Sequence, residues 1–211
     1  MEPQQSTAED GRSTRWAGHR DRRRTEFVEA AVAVIESVGP AASVEQIASA
    51  AGVTRQVLYR QFSGRSDLDE AIVAHVAALV YENVIADLSE LDDVSTAIRR
   101  VLDGYLDFID EHRSLYWFTR AHQAELIADP VDQVKGRLAS VAVAMAHELA
   151  EEREVRPTIP LDEVFAVGMV GMVDASVSRW LVHPGSITRT QLVDGLVLVL
   201  AAAIDAAIPP G

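Results

Sequence analysis

The sequence contains no cysteine and a single lysine, and only 6 % of its 211 residues are aromatic. Without cysteine the chain can form no disulfide, thiolate metal site or cysteine nucleophile. Its longest apolar run near the C-terminus, residues 195–204, has ten residues and is too short to span a bilayer. No apolar segment typical of a signal peptide lies near the first residue. We therefore expect a cytoplasmic protein with no membrane partner.

The charge that is present is unevenly distributed along the chain. The net charge is −13, but residues 1–65 carry 9 Arg and 8 acids, for +1, whereas residues 66–211 carry 10 basic residues and 24 acids, for −14. The hydrophobic content of 48 % is that of a globular protein. A basic end on an acidic body indicates that only the first part of the chain meets a polyanion.

Apolar residues recur at helical spacing along almost the whole chain. The first such face starts at Phe27 and stops at the "GP" of 39–40. Ser43 with Gln46 fits a capping box, and Thr54 can cap a second short helix. Further helices are predicted at 67–88, 94–109, 115–127, 131–152, 161–182 and 188–207. No run has the length and alternation of a strand.

These patterns predict an all-α fold with two domains. Residues 1–14 lack apolar periodicity and are expected to be a disordered tail. Residues 15–66 form an N-terminal three-helix unit, and residues 67–211 form a larger helical bundle.

Two short helices joined by "AGV" describe a helix-turn-helix. At about 100° per residue, Val57 and Leu58 fall on one side of the second helix. The opposite side carries four hydrogen-bonding side chains: Arg55, Gln56, Tyr59 and Arg60. The major groove of DNA admits a helix, and its base edges suit Arg and Gln. A solvated face on a structural helix is the alternative, but the paired helices, the turn and the divided face together favour DNA.

Residues 22–75 resemble the DNA-binding domain of the tetracycline-repressor (TetR) family of transcriptional regulators. The resemblance rests on "FVEAAVAVIESVG", "SVEQIASAAGVTRQVLYRQF" and "GRSDLDEAI", in this order and spacing. Three positions depart from the family pattern. Gln56 replaces a small residue, Gln61 replaces a His, and Arg65 replaces a Lys while keeping its charge.

The resemblance implies a role for each candidate DNA-binding residue. Arg55 and Gln56 would read bases, while Ser43, Thr54, Tyr59 and Arg65 would position the protein on the backbone. The full candidate set is Arg22, Arg23, Arg24, Ser43, Thr54, Arg55, Gln56, Tyr59, Arg60 and Arg65. The three arginines at 22–24 could reach phosphates or a minor groove, or could equally be a cationic leader.

The family also implies a homodimer that binds a pseudo-palindromic double-stranded DNA operator. Segments 161–182 and 188–207 are more apolar than a one-sided surface helix requires, so they could pair with a second copy or be buried within one chain. In a dimer the two recognition helices would lie about 34–36 Å apart on one face of the DNA.

The candidate lining of an effector pocket is an aromatic cluster around "YWFTRAH" (116–122), with ordinary core packing as the alternative. The set is Tyr105, Phe108, Tyr116, Trp117, Phe118, Arg120, His122, Gln123, Met145, Met169 and Trp180. Such a cavity suits a small apolar or amphipathic ligand. The predicted function is a transcriptional regulator, a repressor that this ligand releases from DNA, with no cofactor and no metal.

Two other classes of protein compete with this interpretation. An enzyme is disfavoured because no histidine completes an HExxH or ExxH pattern, and no glycine-rich phosphate loop or GxSxG motif is present. A helical module that binds a protein partner instead of DNA remains the main alternative.

Overall fold

A computed structural model of the protein describes residues 7–86, 88, 93–123 and 129–210, and for residues 7–21 it describes the backbone alone. These residues contain nine α-helices and no strand, which confirms the all-α prediction. The helices are α1 Thr7–Val38, α2 Val44–Ala50, α3 Arg55–Leu58, α4 Arg65–Ile85, α5 Val94–Glu111, α6 Arg113–His122, α7 Pro130–Glu152, α8 Glu163–Val182 and α9 Arg189–Ala207.

Helix α1 begins inside the stretch predicted to be a disordered tail. Residues 1–6 lie outside the described residues, but residues 7–14 are helical rather than disordered. The prediction relied on the missing apolar periodicity. Helical hydrogen bonds propagate from an established helix without needing a buried face, so the missing pattern did not mark the start of α1.

The chain divides into two compact units, and the first comprises residues 1–76 and 112–128. Its core contains the apolar face of α1, with Phe27, Ala31 and Ile35 buried, and both α2 and α6 pack on α1. Because α6 packs on α1, this compact unit includes an element from the predicted second domain. The predicted boundary at residue 66 stays a prediction.

The turns around α2 and α3 follow from local hydrogen bonding. Ser43 and Gln46 form the predicted capping box, in which the Ser43 hydroxyl accepts from the Gln46 backbone and the Gln46 side chain accepts from the Ser43 backbone. Gly52 ends α2 with a φ of +66°, in a region where a side chain would be strained. The Thr54 hydroxyl then accepts from the Val57 backbone N–H and caps α3.

Helix α4 starts at Arg65, two residues before the predicted position. The Asp67 carboxylate accepts from the Ser63 backbone N–H at 2.8 Å and from the Ser63 hydroxyl at 3.2 Å. These bonds pair the Ser63 backbone N–H, which lies just before the first turn of α4.

The second compact unit comprises residues 77–111 and 129–211. In this unit α5 packs on α9, and α7 packs on α8. Leu102, Leu106 and Ile109 line the buried face of α5. The ammonium group of Lys135 on α7 lies 3.0 Å from the Asp174 carboxylate on α8.

Helices α8 and α9 expose an unusual amount of apolar surface. Large exposed side chains on these helices are Val164, Phe165, Val167, Val182, Leu198 and Val199. By length and composition both helices could also cross a membrane, and 17 % and 33 % of their apolar windows are buried. Contiguous exposed apolar patches are a feature of surfaces that bind other molecules.

Candidate nucleic-acid interface

Helix α3, which ends at Leu58, and the two residues after it follow the predicted division into a buried and an exposed side in part, since Val57 and Tyr59 have the same burial. Leu58 is 0 % exposed and Val57 is half-buried, while Arg55, Gln56 and Arg60 are exposed and Tyr59 is half-buried. Ile47 and Ala48 of α2 are also buried. The apolar side therefore fixes the rotation of α3, and hydrogen-bonding side chains lie on its outer side. We call Thr54, Arg55, Gln56, Tyr59 and Arg60 the reading surface.

Ser43 and Thr54 both use their hydroxyl oxygens to cap helices. Each oxygen accepts a backbone N–H three residues later, at 3.2 and 3.4 Å. A hydroxyl can donate its own proton while it accepts. Both side chains therefore keep the chemistry that a contact to a phosphate oxygen requires.

Arg55, a predicted base reader, forms an ion pair with Glu45 across the turn. Its Nη1 atom donates to a carboxylate oxygen of Glu45 on α2. Sequence reasoning did not single out Glu45, although its position in the first turn of α2 is typical of an acid that favours a helix N-terminus.

Arg65 contacts the protein through two of its nitrogens. Its Nε lies 2.7 and 2.8 Å from the two carboxylate oxygens of Asp69, and its Nη1 donates to the Ala42 carbonyl at 3.3 Å. Asp69 is buried, and His122 Nε2 lies 3.9 Å from it. The ion pair with Arg65 compensates the cost of burying that carboxylate. Remaining guanidinium N–H groups of Arg65 can still meet a phosphate.

Arg24 is tied to the fold rather than extended as an arm. Its Nη1 donates to the Gln61 carbonyl at 2.8 Å, and its Nη2 donates to Asp67 at 2.5 Å. Its guanidinium carbon also lies 4.3 Å from the centroid of the Phe62 ring. Arg24 thus joins α1 to the segment after α3 and to the start of α4. Arg22 and Arg23 are exposed.

The candidate pocket residues fall into both compact units. In the first unit, Tyr116 and Phe118 are buried, and the His122 ring stacks on Phe118 with centroids 4.2 Å apart. The His122 Nδ1–H donates to the Phe118 carbonyl at 2.8 Å. Trp117 and Gln123 are half-buried, whereas Arg120 is exposed. One further polar group is present: within the described residues, the buried Thr119 hydroxyl has no hydrogen-bond partner.

The other five candidates lie in the second unit. Phe108 is buried, and Met145, Met169 and Trp180 are half-buried. Tyr105 donates its hydroxyl to Asp174 at 3.4 Å, and Trp180 Nε1 donates to the Ile187 carbonyl at 2.8 Å. These bonds satisfy the polar atoms of the two aromatic side chains within the protein. The role of all eleven residues as a ligand pocket stays a prediction.

A capped helix pair that buries one side and exposes arginine and glutamine on the other defines the class of helix-turn-helix DNA-binding proteins. The comparisons with known proteins name a family for this segment. Residues 27–72 match the model of the bacterial regulatory proteins of the tetR family.

Known relatives and solved structures extend the similarity over most of the chain. An uncharacterized HTH-type transcriptional regulator of Mycobacterium tuberculosis strain H37Rv is 27 % identical over 207 residues, covering 96 % of this chain and 86 % of that protein. The HTH-type transcriptional activator FasR of Mycolicibacterium smegmatis is 29 % identical over 180 residues, covering 84 % and 81 %. The structure of the transcriptional regulator FadR from Bacillus subtilis in complex with stearoyl-CoA is similar in fold, with a TM-score of 0.65, 17 % identity and coverage of 84 % and 97 %. Residues 27–72 of this chain thus match a tetR-family DNA-binding segment, and over most of its length the chain is similar to transcriptional regulators.

The link between Arg24 and Asp67 predicts a pH-dependent contribution to stability. The hydrogen bond from Arg24 holds the pKa of Asp67 below its ordinary value of 3.8; partial burial opposes this shift and the Ser63 backbone N–H adds to it. Ionised Asp67 therefore stabilises the fold above its unfolded pKa, and that stabilisation is lost as pH falls through the lower folded pKa. We expect Arg24→Ala to lower the free energy of unfolding by about 1 kcal/mol at neutral pH. The deficit should shrink as the medium is acidified below about pH 4.

Urea unfolding at a series of pH values measures this difference, with Arg23→Ala as the matched control because Arg23 is the exposed neighbour. A deficit that does not change with pH, or one that Arg23→Ala reproduces, would contradict the proposed link.

Proposed function

We propose that this regulator binds a pseudo-palindromic DNA operator as a homodimer and represses transcription until a small lipophilic ligand releases it. The observation that carries the proposal is the reading surface itself, in which buried Leu58 fixes α3 so that Arg55, Gln56 and Arg60 face outward. A regulator of chromosomal genes would act in the cytoplasm.

Each side chain of the surface has a proposed task. Arg55 and Gln56 read base edges in the major groove, since their donors and acceptors match guanine and adenine. Ser43, Thr54, Tyr59 and Arg65 contact the phosphate backbone and set the register. Arg60 and the exposed Arg22 and Arg23 add positive charge, whereas Arg24 acts through the fold because its guanidinium is bound to Gln61 and Asp67.

The apolar surfaces of α8 and α9 support dimerisation. Leu198 and Val164 are 71 % and 76 % exposed, and a second copy of the chain would cover them and their neighbours. Gly168 and Gly171 have open space around them, which allows another backbone to approach closely. A two-fold pair of chains is also what a pseudo-palindromic operator requires.

Helix α6 supports a ligand role for part of the aromatic cluster. It combines buried Tyr116 and Phe118 with the unpaired hydroxyl of Thr119. A buried hydroxyl without a partner is costly, and a polar atom of a bound ligand would satisfy it. Because a structure similar to this one is that of a regulator in complex with stearoyl-CoA, we propose a long-chain acyl compound as the ligand class.

Release would be a shift between two populations of the dimer. A ligand changes the equilibrium only by its differential affinity for the two states. His122 on α6 lies 3.9 Å from Asp69 on α4, so a ligand that binds beside α6 can move α4 and the DNA-binding elements next to it. The strongly acidic remainder of the chain would repel DNA and limit nonspecific adhesion.

Substitutions on the reading surface should separate base readout from backbone positioning. Arg55→Ala is expected to cost about 1–3 kcal/mol on the operator and little on unrelated DNA, whereas Tyr59→Phe should weaken all duplexes alike. Gel shifts with genomic fragments measure both effects. If both variants retained wild-type operator affinity, the role assignments would fail. A wild-type protein that shifts no fragment would favour the protein-binding alternative.

Disrupting the exposed face of α9 should separate the two copies. We expect Leu198→Asp to weaken self-association and operator binding by at least about tenfold, because a carboxylate would be buried without a partner. Sedimentation measures the mass, which should be twice 22.9 kDa for the wild-type dimer. Ala144→Asp, at an exposed position of α7, adds the same charge as a control. A wild-type monomer that binds its operator would refute the dimer.

Stearoyl-CoA should raise the melting temperature and release the operator, whereas coenzyme A alone should do neither. A ligand at about 100 times its Kd stabilises the folded state by about 2.7 kcal/mol. We expect Thr119→Val to leave the free protein as stable as the wild type or more so, because the unsatisfied hydroxyl is removed, while weakening the ligand effect. If acyl compounds of several chain lengths raised the melting temperature of the protein but none released the operator DNA, the proposed ligand control of DNA binding would fail.

A further inference from the structure

Among the residues that the structure describes, Glu45 is the only acidic residue that forms an ion pair with the reading surface. Its partner is the Nη1 atom of Arg55, and the two side chains are 60 % and 57 % exposed. The pair joins the first turn of α2 to the first turn of α3. An acid at this position would meet the phosphates if the reading surface docked on DNA.

The stability of the fold does not account for this ion pair. Exposed ion pairs contribute about 0–1 kcal/mol, because water screens the attraction and ordering two long side chains costs entropy. A favourable position near the N-terminus of α2 would explain an acid at 45, but it would not require contact with Arg55. The consequence of the pair should therefore be sought in DNA binding.

We propose that Glu45 is a specificity-determining residue that acts through Arg55. A guanidinium has five N–H donors in a fixed plane, and the bond to Glu45 comes from one nitrogen. The remaining donors suffice for a bidentate contact to guanine, so Arg55 can read a base while it stays paired. The carboxylate holds the guanidinium in one orientation and reduces the entropy lost on base contact.

The same pair disfavours contacts to unrelated DNA. An unpaired Arg55 would bind any nearby phosphate, which carries no sequence information. With Glu45 present, a phosphate that approaches Arg55 also meets the carboxylate, which repels it, whereas the uncharged edge of guanine is not repelled in this way. This repulsion lowers the affinity for unrelated DNA more than the affinity for the operator. The difference between the two affinities, which is the specificity, therefore increases.

The proposal rests on the proposed function, and it is tested on a duplex that the wild-type protein selects from a random library. Binding to this duplex and to a scrambled one is measured by fluorescence anisotropy over a range of salt concentrations. We expect Glu45→Gln to raise affinity for the scrambled duplex by roughly five- to tenfold and to change operator affinity by less than about twofold. The salt slope on scrambled DNA should steepen by about one, because Arg55 gains a phosphate contact.

Three further variants separate this mechanism from simpler ones. Glu45→Asp keeps the charge and should preserve most of the specificity ratio. Glu148→Gln, at an exposed position of α7, makes the same change in net charge and should leave the ratio unchanged. In an Arg55→Ala background, Glu45→Gln should affect both duplexes alike.

The proposal would be overturned if Glu45→Gln left the ratio of selected-duplex to scrambled-duplex affinity unchanged. It would also be overturned if Glu148→Gln changed this ratio by the same factor. Loss of the ratio in Glu45→Asp together with a lower melting temperature would also overturn it, since a defect of α2 would then explain the result. If the wild-type protein selects no duplex at all, the proposed function fails as well as this inference.

Discussion

The orientation of the reading surface depends on the burial of two side chains on the opposite side of a very short segment. Helix α3 has four residues, too few to be stable through its own hydrogen bonds. Leu58 and Phe62 are 0 % and 1 % exposed, and their burial holds the segment against the rest of its unit. Once these residues are fixed, helical geometry determines where Arg55 and Gln56 point.

Arginines of the first unit form ion pairs within the fold, and they also provide the positive charge of this part of the chain. Arg24 and Arg65 hold Asp67 and Asp69, and Arg55 holds Glu45. The Arg24–Asp67 pair connects α1 to α4 and the Arg55–Glu45 pair connects α3 to α2, whereas the Arg65–Asp69 pair lies within α4. Some arginines of this basic segment are bound within the fold, and others are exposed. A count of charges along the sequence does not distinguish the two kinds.

The parts of the fold that were predictable are those governed by local rules. The capping box at Ser43, the exit at Gly52 and the cap at Thr54 each involve groups within a few residues, so sequence spacing is sufficient. The helix of residues 7–14 was missed because no apolar pattern marks it. The hydrogen bonds from Arg24 to Gln61 and Asp67 were not predicted, because these partners lie 37 and 43 residues away along the chain. Only the packing of the fold brings them together. The same reason hid the unsatisfied hydroxyl of Thr119.

The cations at positions 55, 60 and 65 are all guanidinium groups, and the chain's single lysine is bound to Asp174 in the other compact unit. A guanidinium keeps its proton throughout the physiological range and is not a substrate for lysine acetylation. The positive charge that the proposed interface would offer to nucleic acid is therefore insensitive to acetyl donors. Ionic strength remains the general physical variable that would tune the proposed attraction.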